Sequence, residues 1–371
     1  MTLTVEEKPC YGLQTGMYVQ GSETTAEVSG TIRNFLGYAE EFDLTVSKGN
    51  LLTPRQGTGR YSLSWLDPRF RGTKAQVRAQ VFRTSNSYLD FSSYTENSTG
   101  LGSEYVSESG QHKIGYEVVW RELCPLRERA SREILKQAGH NVKSALRHTV
   151  QWDEREPAGA LVSSGAAASV TTEVSGLGLG ARFIRGEAEC VYERPLRVLS
   201  ALESSVELRL QLGALLPLGR GAAAAAEGSE AVASYVGDRF WLGGTGDLRG
   251  FWVKGSGPKA PRRPREGGEM DAVGGDLKYA AMAALKFQVP GAPALREAGI
   301  YAHVFGNCGN CVGRTEGLER TLRTTRASYG MGLVWPSPIG KLEVNYCRAA
   351  KVFEHDKWRN GLHFGFSASK L

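Results

Sequence analysis

Along most of this chain, apolar residues fall on every second position and the residues between them are polar or charged. A period of two puts one chemistry on each face of a strand, so this pattern constrains the fold more than any single motif. Ala26, Val28, Gly30 and Ile32 alternate with Glu27, Ser29, Thr31 and Arg33. Ala75, Val77, Ala79 and Val81 alternate with Lys74, Gln76, Arg78 and Gln80. Val206, Leu208, Leu210 and Leu212 alternate with Glu207, Arg209 and Gln211, and Leu362, Phe364, Phe366 and Ala368 with Gly361, His363, Gly365 and Ser367. The spacing predicts sixteen strands, near 25–34, 38–48, 58–67, 72–84, 98–107, 111–122, 141–152, 165–174, 182–193, 201–216, 234–242, 276–289, 298–306, 327–335, 340–348 and 361–370.

A soluble sandwich also alternates apolar and polar residues. Two features favour a closed barrel in a membrane. Sandwich strands average about five or six residues, whereas many of these reach the roughly 9 to 11 that a tilted strand needs to cross a bilayer. The polar face is also heavily charged, as a wet lumen would be. Of the 371 residues 41% are hydrophobic, but no window holds an apolar run long enough for a membrane helix. That excludes a helical membrane protein and leaves a barrel open, because lipid-facing residues in a barrel are never consecutive. The expected fold is all-β: a 16-stranded antiparallel transmembrane β-barrel over residues 25–371, after a short segment 1–24.

The net charge of +6 is modest and partly local, as in Lys259-Ala260-Pro261-Arg262-Arg263-Pro264-Arg265. No basic face interleaved with aromatics supports nucleic-acid binding. Six cysteines in a chain this long do not make a disulfide framework. Cys308-Gly309-Asn310-Cys311 lacks the second pair that zinc would need, so it reads as bystander thiols in a loop. The six histidines are scattered and no nucleophile–base set or metal-ligand spacing emerges, so neither an enzyme nor a cofactor is expected. Short helices are predicted within 123–139 and near 314–325, and Gly221 to Ala226 reads as a turn expansion. The start, Met1 to Lys8, is neither a secretory signal nor an arginine-rich transit peptide. That favours a eukaryotic precursor made in the cytosol, or a chain trimmed at its start.

One stretch stands apart from the alternation: Arg239-Phe240-Trp241-Leu242-Gly243-Gly244, then Thr245-Gly246-Asp247, then Leu248-Arg249-Gly250-Phe251. Glycine pairs let a strand end sharply and let backbone pass close to a packed surface. The arginine suits a cation held inside the protein. The stretch resembles the RFxxGG and [V/I/L]RGF signature of the outer-membrane β-barrel insertases, in which this segment is a loop folded back into the barrel lumen. Here it would lie between strands 11 and 12. Ile32-Arg33-Asn34-Phe35-Leu36-Gly37, Val119-Trp120-Arg121-Glu122-Leu123, Ala138-Gly139-His140-Asn141 and Leu342-Glu343-Val344-Asn345-Tyr346-Cys347 are similar to the barrel subunit of the mitochondrial sorting and assembly machinery.

The resemblance implies a membrane insertase that folds β-barrel precursors into the mitochondrial outer membrane without nucleotide. The alternative is a passive porin-type channel. Implied partners are the precursors, accessory subunits on the cytosolic side, outer-membrane lipid and a second barrel. A lateral gate would lie between the first strand, represented by Val28, Ser29, Gly30, Thr31 and Ile32, and the last, represented by Gly361, Phe364 and Phe366. Residues 359–366 also fit the spacing of the mitochondrial β-signal. Family members tuck the loop arginine against acidic groups, which makes Arg249 the candidate cation and Glu343 and Asn307 its candidate partners. Bacterial relatives carry an aspartate where Asn307 stands and a glutamate where Lys286 stands, so their ion pair does not carry over. The family also has a soluble POTRA domain before its barrel, for which residues 1–24 are too short. Strand parity puts the Arg249 loop on the cytosolic side and the 123–139 segment on the other.

Overall fold

The structure, a computed structural model, describes residues 9–20, 23–49, 58–157, 163–199, 202–218, 234–263, 268–337 and 340–368. Sixteen antiparallel strands form one continuous wall. They are β1 (Tyr11–Gln20), β2 (Glu23–Arg33), β3 (Glu41–Lys48), β4 (Gly59–Asp67), β5 (Gln76–Ser87), β6 (Tyr94–Val106), β7 (His112–Pro125) and β8 (Gly139–Asp153), followed by β10 (Ser163–Gly180), β11 (Phe183–Leu199) and β12 (Leu202–Pro217). The wall continues with β15 (Leu277–Gln288), β16 (Tyr301–Val312), β17 (Arg326–Ser337), β18 (Gly340–Lys351) and β19 (Gly361–Ala368). The short β9 (Glu156–Pro157) extends one connection, and β13 (Lys259–Pro261) pairs with β14 (Met270–Ala272) inside the long loop after β12. Among the described residues, three short helices, α1 (Arg132–Leu135), α2 (Pro293–Glu297) and α3 (Gly317–Arg323), sit in connections.

The wall is apolar outside and charged inside. On β12, Leu208, Leu210 and Leu212 are 43–48% exposed while Glu207, on the opposite face of the strand, is 5% exposed. In water that arrangement would waste the burial of every leucine. Against lipid it is the favourable one, because the charges then face a polar interior. The inward charges pair across strands: Lys143 with Glu173 at 2.7 Å and Glu117 at 3.0 Å, and Lys286 with both Glu193 and Glu207 at 2.5 Å. The soluble-sandwich alternative fails on this inversion.

Four expectations need correction. The first strand is Tyr11–Gln20, which pairs with β2 along its length, so the barrel begins before residue 25. Val28 to Ile32 therefore lie in the second strand, laddered to β1 on one side and β3 on the other. Residues 234–242 are not a strand: they hold a turn of 3-10 helix at Val236–Asp238 and two isolated bridges, Phe240 to Gly275 and Leu242 to Ser256. Their apolar residues alternate because they pack into the lumen, where Val236, Phe240 and Leu242 are buried. The two errors offset each other, so the count of sixteen and the loop between the eleventh and twelfth wall strands both stand. They reverse the parity before the loop, however. The 126–138 connection follows the seventh strand and lies on the same rim as the loop, with Ala130 and Ile134 packed against Val236 and Val273. Cys308 and Cys311 lie within β16, not in a loop. Gly221 to Ala226 lie outside the described residues.

Every pair of neighbouring wall strands carries a hydrogen-bonded ladder except one. β1 and β19 lie side by side, and among the described residues no ladder joins them. β19 is also among the shortest wall strands, at 8 residues, whereas β8, β10, β11 and β12 run for 15 to 18. Among the described residues the two ends of the wall thus meet at a seam that carries no hydrogen-bonded ladder.

Candidate functional site

The loop after β12 returns into the lumen and is fastened there at several points. Phe240 and Gly275 exchange backbone hydrogen bonds of 2.8 and 2.9 Å, which ties the loop to the strand end that opens β15. Gly243 has φ of 125°, and a Cβ on it would stand 2.2 Å from the Trp252 carbonyl oxygen, so no other residue fits. Leu248 N–H donates to Gly244 O at 3.0 Å and Gly244 N–H to Phe251 O at 3.2 Å, closing a tight bend over 244–251. Phe240, Leu242, Leu248 and Phe251 bury themselves against Phe183, Leu215 and Ala280 of the inner wall. Arg239 donates to the Val273 carbonyl at 3.1 Å and to Ser234 Oγ at 2.8 Å.

Arg249, at the end of that bend, is buried. Its Nη2 lies 3.0 Å from Glu343 Oε2 and 3.4 Å from Oε1, and its guanidinium covers the Phe305 ring at 4.9 Å. Glu343 is held in turn by Lys341 Nζ at 2.7 Å and by Asn345 Nδ2 at 3.0 Å, so its carboxylate has three donors. Asn345 accepts from His303 Nε2 at 2.6 Å, which extends the chain to β16. Asn307 holds the backbone of Arg249, not its guanidinium. Its amide oxygen accepts from Arg249 N–H at 2.8 Å while its amide nitrogen reaches Ser328 Oγ at 2.6 Å. Ser328 Oγ donates to the Arg249 carbonyl. Both peptide groups of the arginine are therefore fixed by side chains of β16 and β17.

A second buried ion pair was not anticipated. Arg121 of β7 meets Asp238 in two hydrogen bonds of 2.7 and 3.0 Å and lies 4.2 Å from the Tyr235 ring centre. Burial pushes the Tyr235 phenol well above its usual range, so the ring stays neutral and offers its face to the cation. Arg121 lies within the Val119–Leu123 segment that carries the family resemblance, but its partner is 117 residues away and no spacing rule links them. The outward side of the same wall region carries Trp120, whose Nε1 donates to His140 at 3.0 Å.

The loop also grips the seam. Trp252 N–H donates to Lys357 O at 3.0 Å, Lys357 N–H to Gly255 O at 2.9 Å and Arg359 N–H to Gly250 O at 3.0 Å. These bonds hold the 352–360 connection, which leads directly into β19. Thr245 comes close to Gly365 of β19, whose Cβ, if present, would be 3.0 Å from its methyl group. Gly361 is different: nothing approaches it, but its φ is 123°. The glycine serves the backbone entering β19 and does not relieve crowding. Gly361→Ala is expected to cost on the order of 1–3 kcal/mol, read as a lower urea midpoint for the folded barrel. Phe364 is exposed on the outer face, and Phe366 is in register with Leu342.

Residues 34–369 match the Omp85 superfamily domain. The mouse sorting and assembly machinery component 50 homolog is 29% identical over 366 residues, covering 95% of this chain and 71% of that protein. A SAM50-like protein of Schizosaccharomyces pombe is 26% identical over 378 residues, covering 98% and 73%. Among solved structures, BamA from Haemophilus ducreyi lacking POTRA domains 1–3 superposes with a TM-score of 0.77 at 18% identity, covering 97% of this chain and 70% of that one.

Proposed function

The chain belongs to the Omp85 superfamily, and on that premise we propose that it inserts and folds β-barrel proteins in the mitochondrial outer membrane. The similarity to sorting and assembly machinery components supports the mitochondrial branch. The observation that carries the mechanism is the seam. A strand edge in lipid is costly because each unpaired backbone group loses several kcal/mol of hydrogen bonding. Among the described residues, β1 and β19 each have a ladder on one side only. An incoming strand that pairs with the free edge of β1 satisfies both its own backbone and that edge. The next strand of the substrate then pairs with the first, and assembly proceeds by hydrogen bonding and lipid burial without nucleotide. The gate is thus β1 against β19, with Val28 to Ile32 of β2 as the rigid strand behind it.

With the start of β1 in the intermembrane space, the rim bearing the loop, α1 and α3 faces the cytosol. Accessory subunits of the machinery then bind at that rim, and the exposed outer face remains available to lipid and to a second barrel. A passive pore has no use for a loop fastened across its lumen by buried ion pairs, so the insertase reading is preferred.

A locked seam tests this. Cysteine pairs scanned across 14–15 of β1 and 364–365 of β19 are oxidised to a disulfide, and assembly of an imported β-barrel precursor is followed by native electrophoresis. The expected result is a loss of about tenfold or more, restored by reductant, since a closed edge offers nothing to pair with. Full assembly through an oxidised seam would remove the gate.

A further inference from the structure

Lys254 stands where the in-folded loop turns back, in left-handed backbone with φ of 54°. That conformation is uncommon outside glycine, so something must hold the residue there. Its ammonium faces three aromatic rings: Tyr88 at 4.4 Å, Phe91 at 4.6 Å and Trp241 at 4.9 Å from their centres. Phe91 packs edge-on against both Tyr88 and Trp241, at 5.7 Å in each case, so the walls of the cage brace one another. Tyr88 and Phe91 belong to the β5–β6 connection, and Ala272 N–H fixes that connection to the loop through Phe91 O at 2.9 Å. A cation over several ring faces is attracted by each quadrupole, and more strongly where water is kept away.

The turn around Lys254 is bound on its other side as well. Gly255 N–H donates to Trp252 O at 2.8 Å and closes the turn, while Trp252 N–H and Gly255 O both bond Lys357 of the connection leading into β19. The Lys357 ammonium also reaches back to Asp90 O, at 3.5 Å, in the connection that carries the cage. Four residues thus join the cage to the entrance of the seam strand.

From this geometry we infer that Lys254 is a positioning residue for the seam. Its ammonium in the cage fixes the 252–255 turn, and the backbone bonds of that turn fix the connection that places β19 at its edge. Only the consequence for insertion rests on the gate reading above; the positional role stands on these contacts.

The test uses the full chain reconstituted in lipid nanodiscs, with Cys10 and Cys190 replaced by serine and nitroxides on Thr15→Cys and Leu362→Cys. Electron–electron resonance then reads the distance distribution across the seam. Lys254→Met keeps the length and apolar body and removes the charge. It is expected to widen the distribution about twofold, whereas Lys254→Arg, which keeps a cation over the rings, stays close to the parent. Phe91→Leu, which keeps the lysine and removes one wall, falls between them. A Lys254→Met distribution as narrow as the parent's, or a Lys254→Arg one as wide as that of Lys254→Met, overturns the inference. If the labels respond as expected but an arrested precursor never crosslinks to β1 of the parent, the gate reading fails and the positional role remains.

Discussion

Glu343→Ala is expected to destabilise the folded barrel by about 3–5 kcal/mol, because it leaves the Arg249 guanidinium buried without its counter-charge. The guanidinium has few other partners at that depth: it is buried against Phe305, and its backbone is clamped by Asn307 and Ser328 so that it cannot swing out to water. Urea titration followed by tryptophan fluorescence measures the loss. Arg249→Met should cost less, since Glu343 keeps Lys341 and Asn345 as donors. The double change Arg249→Met with Glu343→Leu should recover much of the stability, because apolar residues of similar size often replace a buried pair at little cost. Assembly of precursors should stay impaired in that double variant, since the apolar pair gives the bend at Arg249 no directional hold. Recovery of assembly together with stability would mean that the ion pair serves stability alone.

The second large effect is expected at Asp238. Asp238→Ala strips Arg121 of both its hydrogen bonds, where the two side chains are only 5% and 3% exposed. The expected loss is again about 3–5 kcal/mol. Lys143 does not compensate, being a second cation, 3.8 Å from the same carboxylate. Asp238→Asn should be milder, as the amide oxygen still accepts one bond. Limited proteolysis distinguishes this site from the first. Loss of the Arg121–Asp238 pair should expose the 234–242 segment to cleavage, whereas loss of Glu343 should free the bend at 244–251.

Much of the wall was legible in the sequence because its lipid-facing and lumen-facing residues follow strict alternation. Leu208 to Leu212 against Glu207 to Gln211 is unambiguous, and Glu343 could be placed in the lumen from its parity between Leu342 and Val344. The first strand was missed although Tyr11, Leu13, Met17 and Val19 also occupy alternate positions. Gly12 and Gly16 weaken its signal. The opposite mistake, at 234–242, arose because a loop buried in a lumen also needs apolar residues, and their spacing by chance mimicked a strand. One strand lost and one gained kept the count while moving α1 to the other rim. Period alone cannot detect that, since parity depends on every preceding strand.

The candidate site was only half legible. Its motif residues were visible, but what they touch was not. Arg121 with Asp238 and Lys254 with Tyr88 and Phe91 join segments that only the wall brings together. No local rule connects a cation to a partner more than a hundred residues away. The grip of Gly250 to Gly255 on the connection before β19 is made by backbone groups, which carry no sequence signal at all.

The claim at the centre of this account is that the free edge of β1 receives the incoming strand. The most direct measurement places single cysteines at each position from 11 to 20 and imports an arrested β-barrel precursor that bears one cysteine in its last strand. The account predicts disulfides to alternate positions along β1, in antiparallel register, and none to Val28 to Ile32, which are laddered on both sides. Crosslinks to β2 with none to β1, or none to either strand while the purified protein conducts ions steadily across a bilayer, would contradict it.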